Sequence, residues 1–306
     1  MKFINLQKAR MIFGSLIIIT LLLNINLFAK EYKLIMKKHF NISSGELLEL
    51  KTDAGDIILN TWDKEEIAIE ILGNKNAEKK FEFTFDKTDF GLRVIGERKG
   101  SNFLSWFKKI RLKYEIMIPK NFNLKLKTAG GDIVLNDCEG EFDMKTSGGD
   151  IEIRNSLGEL NCSTSGGDIN IEDFDGNCDV STSGGDITIE FVDGNVFAST
   201  SGGNINISSE SGKVKAATSG GDIDVNYRGN NYGISLATSG GDINLTLPSN
   251  FSADVELKTT GGEIYNNFSH SAGNKITKRK FIGTYNSGGE DIVCKTSGGD
   301  ITVSEK

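Results

Sequence analysis

The hexapeptide Thr-Ser-Gly-Gly-Asp-Ile returns through this chain at a fixed interval, and a strict period in sequence demands a strict period in space. Versions of it begin at Thr128, Thr146, Thr164, Thr182, Thr200 and Thr218, each 18 residues after the last, and again at Thr238, Thr259 and Thr296 after longer spacers. A looser first copy, Thr52-Asp53-Ala54-Gly55-Asp56-Ile57, stands well upstream. A period of this length marks a solenoid, in which each repeat buries its apolar face only by stacking on its neighbours.

Within a repeat the apolar residues alternate. Phe142, Met144 and Thr146 precede one corner, as do Leu160, Cys162 and Thr164, or Cys178, Val180 and Thr182. Ile151 and Ile153, or Ile169 and Ile171, follow it. Period two describes strands with one buried face, so each repeat holds two short strands. Gly-Gly separates them at one corner, and Gly140, Gly158, Gly176, Gly194 or Gly212 marks the other. An antiparallel meander would need a cover for its long apolar face, and no remaining segment is large or apolar enough. The pattern therefore predicts an all-β, elongated parallel β-solenoid, right-handed and β-helix-like, with two strands per 18-residue coil in facing sheets. The inward Thr is expected to bond the Thr of the next coil.

Residues 30–120 break the period and read as an irregular amino-terminal β region that caps the stack. Its strands are expected around Leu47–Leu50, Ile67–Ile71, Phe81–Phe85, Gly91–Ile95 and Tyr114–Ile118. Residues 121–306 form the regular array, whose polar terminus Ser304-Glu305-Lys306 is expected to blunt the far sheet edge. No amphipathic helix is expected after the amino-terminal segment. Residues 1–29 read as a signal peptide, with Lys2, Lys8 and Arg10 ahead of an apolar stretch from Met11 to Leu23 and small Ala29 as the cleavage point. An uncleaved anchor is the competing reading. Export to the periplasm, the cell surface or the medium follows from either.

Removing those three cations takes the formal charge from -7 to -10, which disfavours nucleic acid as a partner. The four cysteines, Cys138, Cys162, Cys178 and Cys294, lack CxxC spacing. Three of them stand where other repeats carry Leu, Val or Ala, so they read as small buried hydrophobes before disulfides.

Trp62-Asp63-Lys64-Glu65-Glu66-Ile67, the strand Tyr114-Glu115-Ile116-Met117-Ile118-Pro119 leading into Leu124–Thr128, the repeat array and the late Phe281-Ile282-Gly283 form a recognisable order. In that order the chain resembles the bacterial putative-adhesin domain family of unknown function, which includes LiaG-like proteins. The resemblance implies a repetitive extracytoplasmic fold, with adhesin-like or envelope-stress roles, and brings no catalytic residue with it.

Two constellations are candidate sites. The acidic column, with Asp150, Asp168, Asp186 and Asp222 as metal candidates, would line one edge of the stack, where a cation such as calcium would relieve like charges. Against this stands a structural reading, an Asp that accepts amide hydrogen bonds at the Gly-Gly corner; Asn204 can do the same without charge. Phe103, Leu104, Trp106 and Phe107, followed by Lys108 and Lys109, interleave aromatic and basic residues as a partner or membrane contact would; local packing of the cap is the plainer reading. His39 and His270, the only histidines, have no sequence neighbours that suggest catalysis or metal binding. No GxSxG, HExxH, GxxxxGK or dinucleotide fingerprint is present.

The expectation is an exported, non-catalytic solenoid of the cell envelope, adhesin-like, without a cofactor, bound to a protein or glycan or serving envelope-stress sensing. Two alternatives are a carbohydrate-active β-helix enzyme and a calcium-dependent adhesive module. Specificity is expected where the period fails, at residues 84–113 and 265–290.

Overall fold

The alternation does make a parallel β-solenoid. The computed structural model describes residues 32–100 and 109–306. Each coil runs one strand in a first sheet, turns at Thr-Ser-Gly-Gly-Asp, runs a second strand in a second sheet, and turns back at the other glycine. Equivalent residues stand in register from coil to coil. Ile133, Ile151, Ile169, Ile187, Ile205, Ile223, Ile243 and Ile301 form one stacked row. All of them are fully buried and belong to one continuous core. Burial of each such side chain contributes about 1.5–3 kcal/mol, and no coil can achieve it alone.

In two coils the strands do not break at the second corner. Ile151–Ser163 and Ile169–Ser181 run 13 residues through it, bending at left-handed Asn155 and Asp173 (φ 48° and 53°). They join the two sheets into one 25-stranded hydrogen-bonded network. At the same corner Gly158 has φ 131°, and a Cβ there would overlap the carbonyl of Gly140. Only glycine lets consecutive coils approach so closely.

The threonine row is buried from Thr52 to Thr296, but its hydroxyls do not bond one another. Thr164 Oγ1 donates to the carbonyl of Gly149 in the preceding coil (2.9 Å) and accepts from Gly167 N–H in its own coil (3.3 Å). The same pair of bonds recurs at Thr146, Thr182 and Thr200. Corner backbone groups, otherwise unpaired, are the stronger claim on a buried hydroxyl. At Thr52, whose outer neighbour is Gly96 of a motif-free coil, Tyr114 Oη stands 2.8 Å from the hydroxyl.

Stacking order departs from chain order at both ends. Leu47–Thr52 and Asp56–Trp62 lie between Gly91–Arg98 and Leu112–Pro119 on one side and the Thr128 coil on the other. Beyond them the stack closes with antiparallel strands, Phe81–Thr88 in the first sheet and Glu66–Gly73 then Lys33–Asn41 in the second. At the far end Asp291–Lys295 and Ile301–Glu305 slot between the Thr238 coil and the earlier Ala253–Asn266 coil. The terminus Ser304-Glu305-Lys306 therefore lies inside the stack, where Lys306 N–H donates to Leu247 O (2.9 Å), and it does not blunt the edge. The antiparallel hairpin Ser271–Thr277 and Lys280–Tyr285 closes the first sheet there. At the amino end the outermost strand of the second sheet, Lys33–Asn41, carries Lys33, Lys37 and Lys38, charges that discourage addition of another strand.

Among the described residues one helix, unanticipated in the sequence, spans Lys75–Lys80 and bridges the two sheets near the amino end. Asn74 caps it, its side chain accepting from Ala77 N–H (3.0 Å). At six residues it carries too little apolar periodicity to be seen.

Candidate functional site

The acidic column is a hydrogen-bond ladder. Oδ1 of Asp132 accepts from the amide of Asp150 (2.9 Å), Asp150 from Asp168 (2.8 Å), Asp168 from Asp186 (2.8 Å) and Asp186 from Asn204 (2.7 Å). Asn204 continues it to Asp222 (2.9 Å), and Asp222 to Asp242 (2.8 Å). The order then runs Asp242, Asp300, Glu263, recording the inserted last coil. Each accepted amide belongs to the next coil, so the carboxylate ties coils together and does not close its own turn. Among the described residues no group of three or more His, Cys, Asp or Glu side chains is gathered as a metal cage.

At the amino end Asp56 is half-buried. That burial raises its carboxyl above the ordinary value, the charge of Asp132 adds to the rise, and the Asp132 amide and Lys113 oppose it. The four cysteines are buried free thiols. Burial pushes Cys138, Cys178 and Cys294 up to about 12 and Cys162 well above its usual range, so none is a nucleophile at neutral pH.

Phe103, Leu104, Trp106, Phe107 and Lys108 lie outside the described residues. Lys109 is exposed, and its carbonyl accepts from the side chains of Asn74 (2.9 Å) and Asn76 (3.3 Å). His270 sits at the far end, where its carbonyl receives the amide of Asn286 (2.9 Å).

A cleft of about 470 Å³ lies on the outer face of the second sheet at the amino end. Four adjacent strands build it from two cross-strand rows. Lys37, Glu70, Glu115 and Ile58 make one, and His39, Ala68, Met117 and Asn60 the other. Ile58, Ala68 and Met117 form an apolar floor where the regular coils carry polar residues, and Trp62 stands beside it. The charged walls are matched within the protein. Lys37 Nζ is 2.6 Å from Glu70, Lys113 Nζ is 2.7 Å from Glu115, and His39 Nδ1 is 2.8 Å from Glu66. Trp62 Nε1 donates to Glu66 O (2.8 Å), and Lys64 Nζ lies 4.2 Å from the centre of its ring. An apolar floor, an aromatic wall and a rim whose polar groups already have partners describe a surface for holding a ligand. None of these carboxylates stands apart as an acid or base.

In the sequence Trp62 and Met117 stand within the segments that carry the family resemblance, and no motif marks them as lining a cleft. Its signal was present in Ile57-Ile58-Leu59 and Ile116-Met117-Ile118, apolar runs that break the alternation and put Ile58 and Met117 on the outside. The edge strand bearing Lys37 and His39 could not be placed beside them without the antiparallel pairing.

Among the described residues no helix is long and apolar enough to cross a membrane. The model of the Toastrack DUF4097 family matches residues 46–304. No curated protein matches the chain. Solved structures that resemble it include a "putative cell adhesion protein" from Clostridium sporogenes ATCC 15579, 14% identical over 89% of this chain and 99% of that one, with a TM-score of 0.20. A "putative adhesin" from Bacteroides fragilis NCTC 9343 is 11% identical over 90% and 98%, with a TM-score of 0.33. Another from Parabacteroides distasonis ATCC 8503 is 12% identical over 89% and 96%, with a TM-score of 0.36.

Proposed function

The chain belongs to the Toastrack DUF4097 family, and from that premise we propose that it is an adhesin-like, non-catalytic binding module of the cell envelope. In this reading the amino-terminal segment directs export, and a protein or glycan partner is held on the outer faces of the sheets. The observation that carries it is the cleft around Trp62, whose floor is apolar and whose wall charges are paired with one another. Such a cleft offers contact area and shape, with its carboxylates engaged by neighbouring side chains. The stacked coils hold that face rigid, and rigidity lowers the entropy cost of binding.

Pull-down of the purified chain on envelope preparations of the producing bacterium tests the reading. Saturable binding is expected, falling at least tenfold on Trp62→Ala or Met117→Glu while the melting temperature holds. Release of products from acidic polysaccharides, abolished by substituting a periodic Asp, would establish an enzyme instead.

A further inference from the structure

The outer face of the second sheet changes character beyond the cleft. From the Thr146 coil through the Thr238 coil its two outward rows are polar at every rung. Glu152, Asn170, Thr188, Asn206, Asp224 and Asn244 stand in register in one row. Arg154, Glu172 and Glu190 begin the other, which Ser208, Asn226 and Thr246 continue. Two shallow grooves of about 190 and 230 Å³ lie along them and share Thr188 and Glu190, so they form one trough. Six rungs at the inter-strand spacing make it roughly 24 Å long.

Resting on the binding-module reading, we infer that this trough takes a linear, uncharged polysaccharide lying along the solenoid axis. Its chemistry is acceptor-rich. Asn170, Asn206 and Asn244 stand exposed along one row, and Ser208 and Asn226 are half-buried in the other. Glu190 and Asp224 flank them, and the side-chain amide of Asn244 is already given to Asp224 (2.8 Å). The trough's one cation, Arg154, is held by Glu152 and by Glu172 (3.5 Å). A ligand here must bring hydroxyl donors and no negative charge, which fits a neutral sugar polymer and disfavours uronate or phosphate polymers. A protein partner would need apolar or aromatic anchors, and neither outward row of the trough carries one. Identical polar rungs at a constant step favour a ligand that is itself a repeat, each rung adding a similar increment.

Affinity electrophoresis of the full chain in gels containing soluble neutral glucans, mannan or xylan, with polygalacturonate and alginate as anionic arms, tests the inference. Calorimetry with neutral oligosaccharides of two to six units follows for any polymer that retards. Retardation by at least one neutral polymer is expected, with affinity rising at least tenfold from dimer to hexamer. The N170A/N206A variant removes exposed side chains of the trough, so it should fold normally and bind at least tenfold more weakly, whereas W62A should leave this binding unchanged. No retardation by any neutral polymer, or stronger retardation by the anionic ones, overturns the inference. Binding lost in W62A but kept in N170A/N206A also overturns it, while leaving the module reading intact; absence of envelope binding as well sinks both.

Discussion

The corner glycines are not equivalent. A Cβ on Gly166 would touch only backbone atoms at 3.8 Å or more, whereas one on Gly167 would overlap the carbonyl of Gly149. The chain already carries Ala54 at the first position of its earliest copy. Gly166→Ala should therefore change stability by no more than about 0.5 kcal/mol. Gly167→Ala should cost about 1–3 kcal/mol, read from urea midpoints. Inward Thr and Ile were legible because alternation needs no tertiary knowledge. The Thr hydroxyl's partner was not, because it is a backbone carbonyl one coil away. Asp56 gives a pH signature. Its folded-state carboxyl is raised above the ordinary 3.8, so the folded state binds the proton more tightly and the group's contribution to stability falls as pH rises from 3.8 through the raised value. Asp56→Asn keeps an acceptor for the Asp132 amide. It should raise the melting temperature at pH 7, and the gain should vanish as pH falls toward 3.8; an equal gain at every pH would assign the effect to something other than charge.

Single coils differ at the second corner. Asp137, Asn155 and Asp173 take left-handed backbone there, and so does Phe191 (φ 57°), a bulky residue in a region that favours Gly and Asn. Phe191 is exposed, with the Arg228 guanidinium 5.4 Å from its ring centre. That contact is worth about 0.5–1 kcal/mol at an exposed site, against a backbone cost of about 1–2 kcal/mol. Phe191→Asn should raise the urea midpoint, equivalent to as much as 1 kcal/mol; a lowered midpoint would mean the ring contact outweighs the strain. Regular strands were legible at this scale because each repeats its neighbour's pattern. The cleft was not, since its strands are separate in sequence and meet only through antiparallel pairing.

For the whole molecule, class and axis follow from the period, while stacking order does not. Motif copies are chemically interchangeable, so nothing local says that the Thr296 coil seats between those of Thr238 and Thr259. The 37 residues before Thr296 are the only hint: they give the chain length to pass one slot and return. Hydrogen exchange reads this order. Amides of Ile301 and Val303, paired on both sides, should exchange as slowly as those of the central coils, and the edge strand Ile264–Asn266 faster. Fast exchange at Ile301 would place it at an edge and contradict the insertion.

The central claim is that the repeated Thr-Ser-Gly-Gly-Asp-Ile builds the scaffold and that recognition belongs to the outer faces. Urea unfolding of the parent chain, Asp168→Asn and Asp168→Ala, each with excess calcium and with chelator, tests it most directly. Asn keeps an acceptor for the Asp186 amide, as Asn204 does for Asp222, whereas Ala leaves that amide unpaired. The account predicts Asp168→Asn within about 0.5 kcal/mol of the parent and Asp168→Ala lower by about 1 kcal/mol, with calcium shifting none of the three. If Asn is as damaging as Ala, and calcium stabilises only the parent, the column is a cation site and the motif is more than a corner.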